Sequence, residues 1–166
     1  MLPNRLVARD VTREQARAVK KAALQPTMAA VISDYFASVP LFEACSKREL
    51  KLLTKIAVVE HRAAGATLVT EGQPGTTAFV ILQGKCRVLR KSRRVGEIEA
   101  GGVVGELSML NRAPRNATVV AESPLEVAIL RRSDFFALLE KSPSISRKLL
   151  ESLAARVQAL DARTPA

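Results

Sequence analysis

"TAFVILQGKCRVLRK", Thr77 to Lys91, is two short apolar or β-branched runs with a single glycine at their junction. The same rhythm continues on both sides, with "AVVEH" and "ATLVTEG" before it and "RVGEIE", "ATVVAE" and "LEVAILRR" after it. Between Val58 and Arg131, Gly and Pro punctuate these runs roughly every 8 to 12 residues, which predicts an all-β sandwich or barrel.

Helical periodicity flanks this block. From Thr12 to about Ala37, apolar positions such as Ala16, Val19, Ala23, Val31, Tyr35 and Phe36 recur at helical spacing, with Arg13, Arg17, Lys20 and Lys21 between them. Pro26 breaks or kinks that segment. After "SVPLF", Ser46 is placed to cap "SKRELKLLTKI", with Glu49 at the third helical position as in a capping box. Beyond the β block, Ser133 is expected to cap "DFFALLEKS" and Pro143 to interrupt it. A last helix follows, whose Leu150, Leu153, Val157 and Leu160 form an apolar seam. That seam suits packing on the β-domain or pairing with a second copy of the chain.

Composition narrows the function. At 166 residues, one domain with helical additions is expected. Apolar residues make up 48% and aromatics 4%, so the core must be built mainly from Leu, Val, Ile and Ala. A net charge of +10 favours acidic partners such as nucleic acid, anionic lipid or nucleotide, without choosing among them. One histidine, His61, and two distant cysteines, Cys45 and Cys86, argue against a zinc site or a His-dependent hydrolase, and both cysteines read as reduced thiols. No apolar run approaches the roughly 20 residues of a membrane span and no signal peptide opens the chain, so a cytoplasmic protein is expected. No nucleophile and base pair, metal cluster or acid/base carboxylate pair is visible, and an enzyme is not expected.

The chemistry concentrates in "GELSMLNRAPRNATVV", Gly105 to Val120. Gly101, Gly102 and Gly105 let backbone approach a ligand closely, and "ELSML" has the propensity for a helical turn. A turn starting at Gly105 presents unpaired N–H groups that attract an anion, and Arg115 brings a planar fork to the same place. Glu106 does not suit a phosphate, but it is an acceptor for a neighbouring sugar hydroxyl.

This stretch resembles the phosphate-binding cassette of the cyclic nucleotide-binding domain family, in which G-E-[LIV]-[AS]-L leads to P-R-[AST]-A-T-V. "EGQPGTTAFVILQG" is similar to the family's earlier turn-and-strand signature and "VPLF" to its lead-in, so the resemblance runs from about Val39 to Leu160. It implies an α+β, mainly β fold: an eight-stranded β-roll (double-stranded jelly roll) with N-terminal helices and a C-terminal helical lid. The corresponding divisions are an N-terminal helical extension over 1–38, the roll with its lead-in helix over 39–132, and the lid over 133–166. By the same resemblance Arg115 holds the cyclic phosphate and Glu106 the ribose 2′-hydroxyl, with Gly105, Leu107, Ser108, Asn116 and Ala117 around them. Val88, Val95 and Ile98 would line the ribose and base, and Arg156 of the last helix would reach the base. The ligand expected is cAMP, leaning on the family's bacterial members, with cGMP as the other choice and no cofactor.

Three positions depart from the family pattern. Val104 stands where an aromatic is common, Thr76 replaces a frequent Asp, and Asn116 replaces a small residue that bears on the cAMP/cGMP choice. Two readings compete with a sensor that signals to an unknown effector protein. One is a DNA-binding regulator of the catabolite activator type, for which the chain to Ala166 lacks a helix-turn-helix; the other is a protein-interaction scaffold with a degenerate pocket. A homodimer through the last helix is compatible with each. The basic cluster Arg90, Lys91, Arg93 and Arg94 reads as an exposed hairpin.

Overall fold

Residues 27–163 are described by a computed structural model, and the helical periodicity expected between Thr12 and Pro26 lies outside them. Eight strands follow in order: β1 (Val58–Arg62), β2 (Thr67–Val69), β3 (Thr77–Gln83), β4 (Lys85–Arg90), β5 (Arg93–Glu99), β6 (Val103–Val104), β7 (Thr118–Ala121) and β8 (Leu125–Arg131). They form two four-stranded sheets, β1-β8-β3-β6 and β2-β7-β4-β5, with antiparallel neighbours throughout. The fold is the mainly β roll with terminal helices that the resemblance implies.

β3 explains the run at the heart of the sequence. Phe79 and Ile81 point into the space between the sheets, beside Val119, Val127 and Ile129. Ala78, Val80 and Leu82 point the other way, against the helices. A strand buried on both faces has no place for polar alternation, so it reads as continuously apolar. Gly84, with φ 92°, then carries the chain from one sheet to the other, where a Cβ would lie 2.3 Å from the Pro124 carbonyl oxygen. Between β4 and β5 the loop is only Lys91 and Ser92, at φ 49° and 63°, the left-handed pair of a type I′ hairpin. Lys91 N–H donates to Glu71 Oε2 at 2.9 Å and so ties down the hairpin tip.

The helices are α1 (Met28–Ser38), α2 (Lys47–Ile56), α3 (Glu106–Asn111), α4 (Arg132–Lys141) and α5 (Pro143–Asp161), with a 3-10 turn at Pro40–Phe42. Aromatics are few, yet Phe36, Phe42, Phe135 and Phe136 meet in sequence across the helical layer, with ring centroids 5.9 to 6.1 Å apart. Ser46 and Glu49 close the expected capping box on α2. Ser133 does not cap α4. That helix starts two residues earlier, with Arg131 as its cap, because β8 runs straight into it and the Arg132 N–H donates to the Thr76 carbonyl at 2.8 Å. Glu49 also reaches α5, accepting from Ser144 Oγ at 2.9 Å and Lys148 Nζ at 2.7 Å.

On α5 the buried residues are Ile145, Leu149 and Ser152. Of the predicted seam, Leu153 is half-buried, whereas Leu150, Val157 and Leu160 are 68%, 56% and 62% exposed. Most of the seam therefore does not pack on the roll. Cys86 is buried and Cys45 half-buried, both as free thiols. No helix among the described residues is long and apolar enough to cross a membrane.

Candidate functional site

Arg115 is held at its backbone before its side chain does anything. Its N–H donates to Gln73 O at 2.9 Å, its carbonyl accepts from Gly72 N–H at 2.8 Å, and Pro74 bridges to Pro114 beside it. The turn "EGQPG" is thus a brace for this one residue. Arg115 is 7% exposed, and its guanidinium lies in a slot between two glycines. A Cβ on Gly75 would come within 1.9 Å of its Nε, and one on Gly105 within 2.0 Å of Nη1. Neither glycine has room for another side chain while Arg115 is in place.

The electrostatics of this slot are unusual. Nη1 donates to Gly105 O at 3.3 Å and Nη2 to Thr77 Oγ1 at 3.2 Å, both neutral acceptors. Among the described residues no carboxylate pairs with Arg115; the ion pairs run elsewhere, from Arg62, Lys85, Arg94 and Lys148. Burial alone pulls its pKa below the ordinary value, although a guanidinium stays charged in proteins. A buried cation without a counter-charge is costly, and an anion arriving beside it removes that cost.

Helix α3 begins at the same point. Gly105 is its N-cap at φ 79°, in the left-handed region, and it has no side chain to cap the first turn. The first intrahelical bond seals Met109 N–H to Gly105 O at 3.1 Å, so the N–H groups of Glu106, Leu107 and Ser108 precede the ladder. The opposite end is held firmly: Arg132 Nη1 donates to Met109 O at 2.6 Å and to Leu110 O, while its guanidinium lies 4.2 Å from the centroid of Phe136. A cation on the last carbonyls complements the helix dipole.

Two adjoining hollows open here, of about 280 and 160 Å³, with Gly105, Glu106, Ser108 and Asn116 common to both. Leu107 lines the larger and is 47% exposed. Arg115, Ala117, Val88 and Ile98 line the smaller. The structure thus gathers nine of the eleven sequence-selected positions around one depression. Val95 and Arg156 are not among its walls. Val88 pairs with Gly96 and Leu89 with Arg94, which leaves Val95 as the unpaired residue of a bulge, 54% exposed. It is also three residues from Ile98, and a strand returns to the same face every two. Arg156 is half-buried on α5, and no part of α5 among the described residues reaches either hollow.

Sequence reasoning missed several contributors. Gly75 and Thr77 build the Arg115 slot; Val69, Val119 and Arg90 line the smaller hollow. Alternation supplied a usable signal for one of them, since Arg90 lies two residues beyond Val88 on β4.

The family model for the cyclic nucleotide-binding domain matches residues 59–142. A cAMP-dependent protein kinase regulatory subunit from Mycosarcoma maydis is 33% identical over 107 residues, 61% of this chain and 20% of that protein. A cGMP-dependent protein kinase from Eimeria tenella is 32% identical over 90 residues, 54% of this chain and 9% of that protein. The chain therefore spans a fifth or less of the length of these curated relatives. Among solved structures, the N-terminal domain of a transcriptional regulator from Streptomyces coelicolor A3(2) is 26% identical with a TM-score of 0.75, covering 80% of this chain and 98% of that one.

Proposed function

Since the chain belongs to the cyclic nucleotide-binding domain family, we propose that it is a sensor module whose depression at α3 takes a cyclic nucleotide through Arg115. The observation that carries this reading is the buried guanidinium of Arg115, which faces only neutral acceptors beside the amino end of α3. A cyclic phosphodiester carries a single negative charge and offers two exocyclic oxygens to a planar fork. Each charge-assisted hydrogen bond contributes on the order of 1.5–3 kcal/mol. The N–H groups of Leu107 and Ser108 add donors on one side, and Asn116 and Ala117 flank the phosphate on the other. Glu106, beside them, accepts from a ribose hydroxyl. Val88 and Ile98 supply apolar wall for sugar and base.

This arrangement binds without turnover, as befits a regulatory module. Relatives named for cAMP and for cGMP match to nearly the same degree, and the phosphate and ribose contacts suit both nucleotides equally. The leaning towards cAMP therefore has no support in α3 or Arg115. Arg132 connects the phosphate end to the helical layer, since a shift of α3 must move or break its grip on Met109 O and Leu110 O at the start of α4. Calorimetric titration with cAMP, cGMP and the linear 5′-monophosphates tests the reading. Saturable heat with a cyclic nucleotide, and at least about tenfold weaker binding of the dianionic linear forms, is expected. Absence of binding by folded protein at millimolar ligand would sink it.

A further inference from the structure

Resting on that cyclic nucleotide reading, we infer that Arg90 is the residue that reads the purine and that it favours guanine over adenine. Strand β4 sends alternate side chains toward the smaller hollow: Cys86 is fully buried between the sheets, Val88 lines the wall, and Arg90 lines it next. The backbone at this point is well supported. Val88 and Leu89 pair with Val119 and Thr118 of β7, Arg90 pairs with Arg93 of β5, and the adjoining turn is tied to Glu71 through Lys91 N–H.

Among the described residues two cations line this hollow, Arg90 and Arg115, and their settings differ. Arg115 is buried at the deep end beside α3, whereas Arg90 is exposed at the rim. Arg94 on the same hairpin is occupied by Glu97 and Glu122, but among the described residues no hydrogen bond or ion pair engages the Arg90 guanidinium. A ligand anchored by its phosphate at Arg115 brings its other polar end, the purine edge, toward the rim. The guanidinium of Arg90 only donates hydrogen bonds. Guanine presents two adjacent acceptors, O6 and N7, which a planar fork matches bidentately. Adenine keeps N7 but puts an amino donor where O6 would be, so the second arm of the fork meets a donor.

The test is calorimetry on the full chain and on Arg90→Ala with cGMP, cAMP and cyclic IMP, which keeps O6 and N7 but lacks the 2-amino group. The unaltered chain is expected to bind cGMP and cyclic IMP roughly tenfold more tightly than cAMP, and Arg90→Ala to bring the three within about twofold of one another. Thermal unfolding of the variant, whose substitution is exposed, checks that it is folded. A preference that persists in Arg90→Ala would overturn the inference, as would equal binding of all three by the unaltered chain or a proportionate loss for all three in the variant, the mark of a second phosphate ligand. Cyclic IMP falling to the level of cAMP would overturn it too, by assigning selectivity to the 2-amino group. If no nucleotide binds the unaltered chain, the cyclic nucleotide reading itself fails, an outcome distinct from binding without discrimination.

Discussion

Arg115→Ala is expected to weaken cyclic nucleotide binding by at least about a hundredfold while changing folding stability by no more than about 1 kcal/mol. The asymmetry follows from the slot. With ligand, the guanidinium completes charge-assisted bonds; without it, the same group is a buried cation satisfied only by Gly105 O and Thr77 Oγ1. Removing it from the free protein forfeits two modest hydrogen bonds and relieves a desolvation cost. Arg115→Lys should fall between, with roughly tenfold loss, because an ammonium cannot bridge Gly105 O, Thr77 Oγ1 and a phosphate at once. Gly75→Ala offers a stricter check. Its backbone is outside the left-handed region, so alanine is tolerated locally, yet the new Cβ would overlap Arg115 Nε at 1.9 Å. Binding should therefore drop nearly as far as in Arg115→Ala although Gly75 supplies no group to the ligand. Calorimetry on the double variant decides the cause, since two changes acting through one side chain do not add. A double variant that loses the sum of both effects would contradict the slot.

What was legible in the sequence is what rests on local pattern. The β runs are visible because β3 and β8 are apolar on both faces, and the capping box on α2 because Ser46 and Glu49 satisfy each other within one turn. Arg115 and Glu106 stand out because α3 and the strand after it are short and contiguous. Three departures from the family pattern also acquire physical meaning. Val104 pairs with Phe79, which places an aromatic opposite the position that lacks one. Thr76 acts through its carbonyl, the acceptor for Arg132 N–H, so its side chain is free to differ. Asn116 lines both hollows. The failures have a shared origin in the register and contacts of paired segments, which no single run of sequence displays. The bulge at Val95 exists only relative to β4, the start of α4 is set by Thr76, and Gly75 matters through a side chain forty positions away.

Glu49→Ala is expected to cost about 2–4 kcal/mol of stability, because one carboxylate serves three separate donors. Ser46 N–H closes the cap of α2 on it at 2.7 Å, and Ser144 Oγ and Lys148 Nζ bring in the start of α5. Glu49 is buried, and burial alone would raise its pKa. Hydrogen bonds from Lys148, Ser46 and Ser144, with the Lys148 charge, outweigh that and bring it from the ordinary 4.5 down to about 2. A folded-state pKa below the unfolded one means stabilisation that is complete above about pH 4.5 and is lost as pH falls toward 2. Allowing for solvent screening at the partly open Lys148, that contribution is on the order of 2 kcal/mol. Urea unfolding across pH 7 to 2.5 should therefore show the unaltered chain converging on Glu49→Ala as acid is added, the gap closing mainly below pH 4.5. A gap that stays constant to pH 2.5 would mean that the carboxylate acts through packing rather than charge. Glu49→Gln separates the two: it keeps the shape and one acceptor, so it should recover part of the stability at pH 7 and show a weaker dependence on acid over this range.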